Sequence, residues 1–517
     1  MDQIAPFAPG WRTWLALASL AALALAAAGP APGAVPAVSR AVVLQSSDPT
    51  SLDPHNHRET PTGNVARHLY DPLLFRDPRS PTRFIPVLAT TWYQVNETTY
   101  EFTLKPGVRF ANGEPFNAEA VKFTIDRVLG RTSERAPLNA YAFTTLRGAE
   151  AVDELTVRII TKAPDPVLLS RLSTLYIVPP RLTREQGRDG LQRNPAGTGP
   201  YVLKSFVPND RLVLEAKPTY HMGRPRIDEV VFRGVAEAAT RNAELRAGNA
   251  DVIVNVPPDS IEEITSSGRA TVKSVPSTRV AIFFLNTLEY PQFRDRRVRQ
   301  ALNYAVDVDS IVKHVMRDYG LRVPTIVAPY FTGYNPNLKP YPFDAERAKR
   351  LLAEAGYANG FDMEILVPQG RYLLGVEAAQ AIAGYLNRVG IRTRLNVVEF
   401  GVFAKTTQER KIKESMYAAW GNALFNPLDA YKALVVTGSD AFSWYSNKQV
   451  DELYQKAAST ADLRRHTQYL QQMEELIYQD PPFIFLFAQK DLYGVSNRLN
   501  WEPRQDEVIF MYEGAVR

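Results

Sequence analysis

Five consecutive apolar residues, Phe483-Ile484-Phe485-Leu486-Phe487, follow Asp480-Pro481-Pro482. A run this short, apolar without alternation, reads as a strand buried on both faces. A second run, Val280 to Asn286 (VAIFFLN), looks like another crossing point. A chain that enters a second lobe at the first run and leaves it at the other gives the lobes a hinge of paired segments. A cleft between the lobes follows, and rotation about a few backbone dihedrals closes it.

Strand and helix signals are mixed along the whole chain, which places it in the α/β class. YEFTL alternates at Tyr100, Phe102 and Leu104 before the turn Lys105-Pro106-Gly107, and ELTVRII alternates at Leu155, Val157 and Ile159. Between them Asn117 opens a helix with Val121, Ile125, Val128 and Leu129 on one face, stopped by Gly130. Later, Asp344 caps a helix with the stripe Ala348, Leu351, Leu352 and Ala355, ended by Gly356. Val376 to Val389 repeats that pattern up to Gly390. IRTRLNVV then alternates, and Leu463, Leu470, Met473 and Ile477 mark a long amphipathic helix.

At 517 residues the chain has room for about three domains at ~150 residues each. The 60 basic residues are interspersed among 55 acidic ones, a solvated mixed surface rather than a nucleic-acid stripe. No cysteine is present, which excludes a disulfide scaffold, a thiolate metal site, a cysteine nucleophile and a lipid-modified cysteine anchor. Trp14 to Ala28 is uncharged, as long as a secretory h-region, and followed by small residues and prolines. Residues 1–37 are therefore expected to be a cleaved signal peptide, an uncleaved anchor being the alternative. The mature protein is expected free in the periplasm, not as a lipoprotein.

Few motifs carry chemistry. GTGPY at Gly197 lacks the Lys-Ser/Thr of a phosphate loop and reads as a turn. His55 and His57 in LDPHNH stand close enough to share a metal, but without a carboxylate cluster nearby a solvated loop is the expectation. No serine lies in a G-x-S-x-G elbow, so no catalytic residue, cofactor or metal is expected and the chain reads as a non-enzyme. RDRRVRQ (Arg294 to Gln300) reads as a solvated helix face, with permease docking as the functional alternative.

Pro86 to Phe123 (PVLATTWYQVNETTYEFTLKPGVRFANGEPFNAEAVKF) resembles the signature of the extracellular solute-binding proteins of peptide and nickel ABC importers, bacterial solute-binding protein family 5. NPAGTGPYVL, LRAGNADV, FRDRRVRQALNYAVD, YPFDAERAKRLLAEAGY, YSNKQVDELYQKA and YLQQMEELIYQDPPFIFLF follow in the family's order. The resemblance implies a type II periplasmic-binding-protein fold: two lobes with a hinge plus an inserted subdomain. Lobe I would comprise residues 40–75, 198–278 and 488–517, the inserted subdomain 76–197, and lobe II 279–487. It also implies a monomer that binds a small-molecule or peptide ligand between its lobes and presents it to an ABC permease in the inner membrane.

In peptide-binding relatives the segment after a tryptophan resembles W-x-x-D-x-x-D/E-P, and its first acid receives the peptide's ammonium. Aligned on Trp420 and Pro427, the acid positions hold Ala423 and Asn426, so the amine anchor is missing there or passes to another residue such as Asp429. Asn422 and Asn426 suit neutral amide, hydroxyl or carbonyl groups. Trp420 offers a flat apolar wall, or is a core residue. Arg371, after a strand and before a helix, is placed to clamp a carboxylate, or lies on the surface. Ser47 and Asp48 in SSDPTSLDP could reach the ligand from lobe I, or form turns. The expected function is capture of a peptide or peptide-like solute. A nickel chelate, or a chaperone or sensor role for the same cleft, are the alternatives.

Overall fold

The computed structural model describes residues 38–78, 80, 83–422, 424–439 and 442–517. The expected signal peptide, residues 1–37, lies outside the described residues, as does Ala423. No helix among the described residues is long and apolar enough to cross a membrane.

Two long antiparallel strands, Ala270–Leu285 and Phe483–Ser496, lie at the middle of an eleven-stranded mixed sheet. At one end of this ribbon Ala270 to Pro276 pair with Ser496 to Lys490. At the other Val280 to Phe284 pair with Ala488 to Phe483, and the register shifts on both sides of Val280. Such irregularities bend and twist a ribbon locally, so its two ends serve different halves of the sheet. Val252–Ile253, Arg40–Gln45, Glu229–Gly234, Arg211–Ala216 and Tyr201–Val207 continue one half. Ser415–Trp420, Asp362–Pro368 and Arg392–Val398 continue the other. Phe483 to Phe487 are buried throughout, as unbroken apolarity requires.

The helices begin where short polar side chains satisfy free backbone amides. Asn117 accepts from the Ala120 amide at 3.1 Å and Asp344 from the Arg347 amide at 2.8 Å, opening Ala118–Val128 and Ala345–Glu354. Helix Ala118–Val128 buries Val121, Ile125 and Val128 in the same core as a four-stranded antiparallel sheet. That sheet runs in the order Ala89–Asn96, Thr99–Leu104, Thr156–Thr161, Leu146–Ala151.

Two expectations are corrected here. The LDPHNH segment is buried rather than solvated: His55 is fully enclosed, and burial pushes its pKa down to about 3. Arg127 Nη1 donates to its Nδ1 at 2.9 Å, which leaves Nε2 as the protonated nitrogen donating to the Tyr176 carbonyl at 2.8 Å. The same arginine makes a two-point ion pair with buried Asp53, at 2.6 and 3.0 Å. In RDRRVRQ, Arg299 is buried rather than solvated; it donates to the Pro481 carbonyl at 3.0 Å and pairs with Asp480 just before the long strand.

GTGPY is a bend whose glycines are required by close packing. A Cβ on Gly197 would stand 2.0 Å from the Leu69 carbonyl oxygen, and one on Gly199 2.5 Å from that of His68. Gly197→Ala is expected to destabilise the protein by about 1–3 kcal/mol through backbone displacement, read as a lower urea midpoint. An unchanged midpoint contradicts the packing assigned to this bend.

Candidate functional site

A cavity of about 40 Å³ opens where the two sheet halves meet. Its walls include residues just beyond the carboxyl ends of strands. Ser46 follows Arg40–Gln45, Asn255 follows Val252–Ile253, and Arg371 follows Asp362–Pro368. The first two of these strands are parallel neighbours, and crevices at the carboxyl ends of such strands are where open α/β sheets take ligands. The central ribbon contributes Arg279, Gln489 and Asp491, and the C-terminal segment contributes Glu507.

Four charged side chains face this space, and they are not equally partnered. Arg279 pairs with Glu507, donates to the Ala419 carbonyl at 3.0 Å, and is buried. Burial lowers the pKa of Arg279, but the Glu507 charge outweighs it and raises it overall. Burial likewise favours the neutral form of Glu507, and Arg279 overcomes that and holds its pKa below the ordinary value. The Ser277 hydroxyl donates to the other Glu507 oxygen at 3.2 Å. Gly421 makes room for the pair, since a Cβ there would lie 3.2 Å from Arg279 Nη2.

Arg371 and Asp491 lack such a match. The half-buried Arg371 guanidinium stands 5.4 Å from the Tyr372 ring centre and 5.6 Å from that of Phe400. Among the described residues no hydrogen bond or salt bridge holds its side chain. Burial, and then the charge of Arg279, lower its pKa. Asp491 is 5% exposed. Its Oδ1 accepts from Gln489 at 2.7 Å, while its Oδ2 has no hydrogen-bond partner. Burial, then repulsion from Glu507, push its pKa up to about 7.

Of the residues singled out from the sequence, Arg371 lines this cavity. Trp420 ends strand Ser415–Trp420 and meets Phe442 edge to face at 5.3 Å. Asn422 and Asn426 are buried with their amides spent internally. Asn422 donates to the Asn426 carbonyl at 2.6 Å, and Asn426 Nδ2 lies 2.7 Å from His466 Nε2. Asp429 is paired with buried Arg171 at 2.5 Å, tying helix Leu428–Leu434 to the region of the four-stranded sheet. Asp48 accepts the Gly234 and Asn209 amides at 2.9 and 2.6 Å, so its carboxylate shapes a loop; Ser47 beside it is half-buried. Asp491, Glu507 and Arg279 were missed. The available signal was a lone acid, Asp491, continuing a buried apolar strand.

A second space of about 320 Å³ adjoins helix Ala118–Val128. There Lys122 pairs with Asp126 at 2.7 Å, Glu134 with Arg127 at 3.2 Å, and Arg184 stacks on the Phe123 ring.

Asp491 carries a pH signature. It binds its proton more tightly folded than unfolded, where a carboxyl titrates near 3.8. Its effect is therefore nil below about pH 4, costs stability as pH rises to about 7, and stays at full cost above that. Asp491→Asn is expected to raise ligand-free stability at pH 8 by on the order of 1–4 kcal/mol and to flatten that decline. Urea unfolding at pH 4 to 8 checks this; parallel profiles for the two proteins contradict it.

The sequence model described as bacterial extracellular solute-binding proteins, family 5 middle, matches residues 83–442. The chain is 28% identical over 519 residues to the glutathione-binding protein GsiB of Pectobacterium atrosepticum, covering 98% of each chain. The dipeptide-binding protein of Pseudoalteromonas sp. SM9913, solved with Met-Leu, superposes with a TM-score of 0.85 at 22% identity, over 92% of this chain and 100% of that one. Helicobacter pylori DppA, a periplasmic binding protein of an ABC transporter solved with the peptide STSA, gives 0.83 at 23% identity over 92% and 98%. These likenesses establish the type II periplasmic-binding-protein fold. With the family model matching more than two thirds of the chain, this protein belongs to family 5 of the bacterial extracellular solute-binding proteins.

Proposed function

We propose that this protein captures a short peptide or peptide-like solute, of which glutathione is the leading candidate, in the cavity crossed by the central ribbon. It is the substrate-binding component of an ABC importer. In this reading the two sheet halves are the lobes, residues 76–197 the inserted subdomain, and the closed, loaded form is what the inner-membrane permease accepts. Ligand acts by favouring that closed population. Export by a cleaved signal peptide, a periplasmic location and the absence of catalysis belong to the same proposal.

The observation that carries the ligand class is Arg371, a guanidinium at the cavity wall that makes no salt bridge among the described residues. A planar fork of this kind suits a carboxylate. The glutathione-binding relatives, similar over nearly their whole length, support a ligand of that chemistry.

Calorimetric titration of the mature protein with glutathione and with Met-Leu tests this. Saturable binding of at least one is expected, with Arg371→Met weakening it by about 2–5 kcal/mol and amidation of the dipeptide's carboxyl weakening it similarly. Failure of both compounds to bind overturns the ligand class. Binding indifferent to Arg371→Met overturns the role of that residue.

A further inference from the structure

We propose that Asp491, on the central ribbon, receives the ligand's ammonium group, so that the cargo is a zwitterion held between Asp491 and Arg371. The inference rests on the peptide-type reading above and adds the residue that selects for the amine.

The cavity holds two buried acids, Glu507 and Asp491. Glu507 already has a cation: one oxygen is held by Arg279 and the other accepts from Ser277. The Ser277 hydroxyl lies between the two acids: it donates to Glu507 at 3.2 Å and also helps to lower the pKa of Asp491. Arg279 directs its guanidinium to Glu507, the Ala419 carbonyl and, at 3.5 Å, the Thr60 hydroxyl. Asp491 is left with Gln489 on one oxygen and nothing on the other. Arg279 already answers to Glu507, so the buried Asp491 carboxylate has no cation of its own in direct contact, which is unfavourable, and a cation entering the cavity would relieve that.

The segment where peptide-binding relatives keep their amine anchor does not compete. Asn422 and Asn426 are spent internally and Asp429 belongs to Arg171. Asp491 is also well placed for coupling to closure. It stands opposite Val275, next to the point at which the ribbon register shifts between Pro276 and Val280. An ammonium bound there would rest on the segment that joins the two sheet halves.

The charged and titratable groups around Asp491 sharpen the test. From its own strand comes Tyr493, from the facing strand Arg279, from the C-terminal segment Glu507, and from the loop after Asp362–Pro368 comes Arg371. Tyr330 reaches in to the Ser277 carbonyl. Burial raises the pKa of Tyr493 and of Tyr330, so both phenols stay neutral near pH 7, and Arg279 keeps Glu507 ionised. Asp491, pushed up to about 7, is the group that titrates between pH 6 and 8.

The experiment is calorimetry with glutathione, Met-Leu and their N-acetylated forms, on the wild type and on Asp491→Asn, at pH 6, 7 and 8. For the free-amine compound that binds, about tenfold tighter binding is expected at pH 8 than at pH 6 in the wild type. Both N-acetylation and Asp491→Asn are expected to weaken binding ~30-fold or more and to flatten the pH dependence, with no further loss when combined. N-acetylation acts on folded wild-type protein, so the result does not depend on the variant's stability. Wild type that binds the free amine and its N-acetyl form equally, or that shows no pH dependence, overturns the role of Asp491 while leaving the peptide-type reading intact. If neither free-amine compound binds, the peptide-type reading fails and the proposal falls with it.

Discussion

The ion pair between Arg279 and Glu507 governs the centre of this molecule. Arg279 sits on one strand of the ribbon joining the two sheet halves, and Glu507 belongs to the segment that returns after the other. Both are buried, and each offsets the cost of burying the other's charge. By neutralising each other they fix the C-terminal segment against the ribbon. They also remove one cation and one anion from the charges that a ligand can meet. What stays exposed to the cavity is a guanidinium at Arg371 and a carboxyl at Asp491, and the recognition argument follows from that remainder.

A binding protein that works by closing needs halves that are rigid and a junction that is not. The core spreads over both sheet halves, with Phe283 and Ile484 wholly buried on the ribbon itself. Interiors of this kind are close-packed and resist gradual deformation, whereas the register shifts around Val280 concentrate irregularity in a few residues. Away from the ribbon, the Arg171–Asp429 pair and the bond from Lys432 to the Tyr141 carbonyl, at 3.3 Å, join helix Leu428–Leu434 to the region of the four-stranded sheet. Arg76 likewise donates to the Leu424 carbonyl at 3.2 Å. The conformation described is therefore held by polar contacts at its periphery as well as by the ribbon.

Much of the fold was legible in the sequence because it depends on local signals. Caps such as Asn117 and Asp344, stopping glycines and the unbroken apolarity of Phe483 to Phe487 act within a few residues. The site was less legible because its decisive contacts are long-range: Arg279 and Glu507 are 228 residues apart in the chain. Arg371 could be found from its place after a strand. The amides of Asn422 and Asn426 were misleading for a physical reason: an asparagine has both donor and acceptor, so it serves a ligand or a neighbouring backbone equally well. Here the Asn426 carbonyl and His466 engage them. The LDPHNH segment misled similarly, since its polarity is met by Arg127 and the Tyr176 carbonyl rather than by water.

Native mass spectrometry of the mature protein isolated from its own cells, before and after denaturation, weighs the cargo that the cavity carries. The unmatched Arg371 and Asp491 predict a retained ligand that bears both a carboxyl and a free amine, with the mass of glutathione or of a short peptide. A retained sugar, a metal chelate or any compound lacking either group would contradict the account.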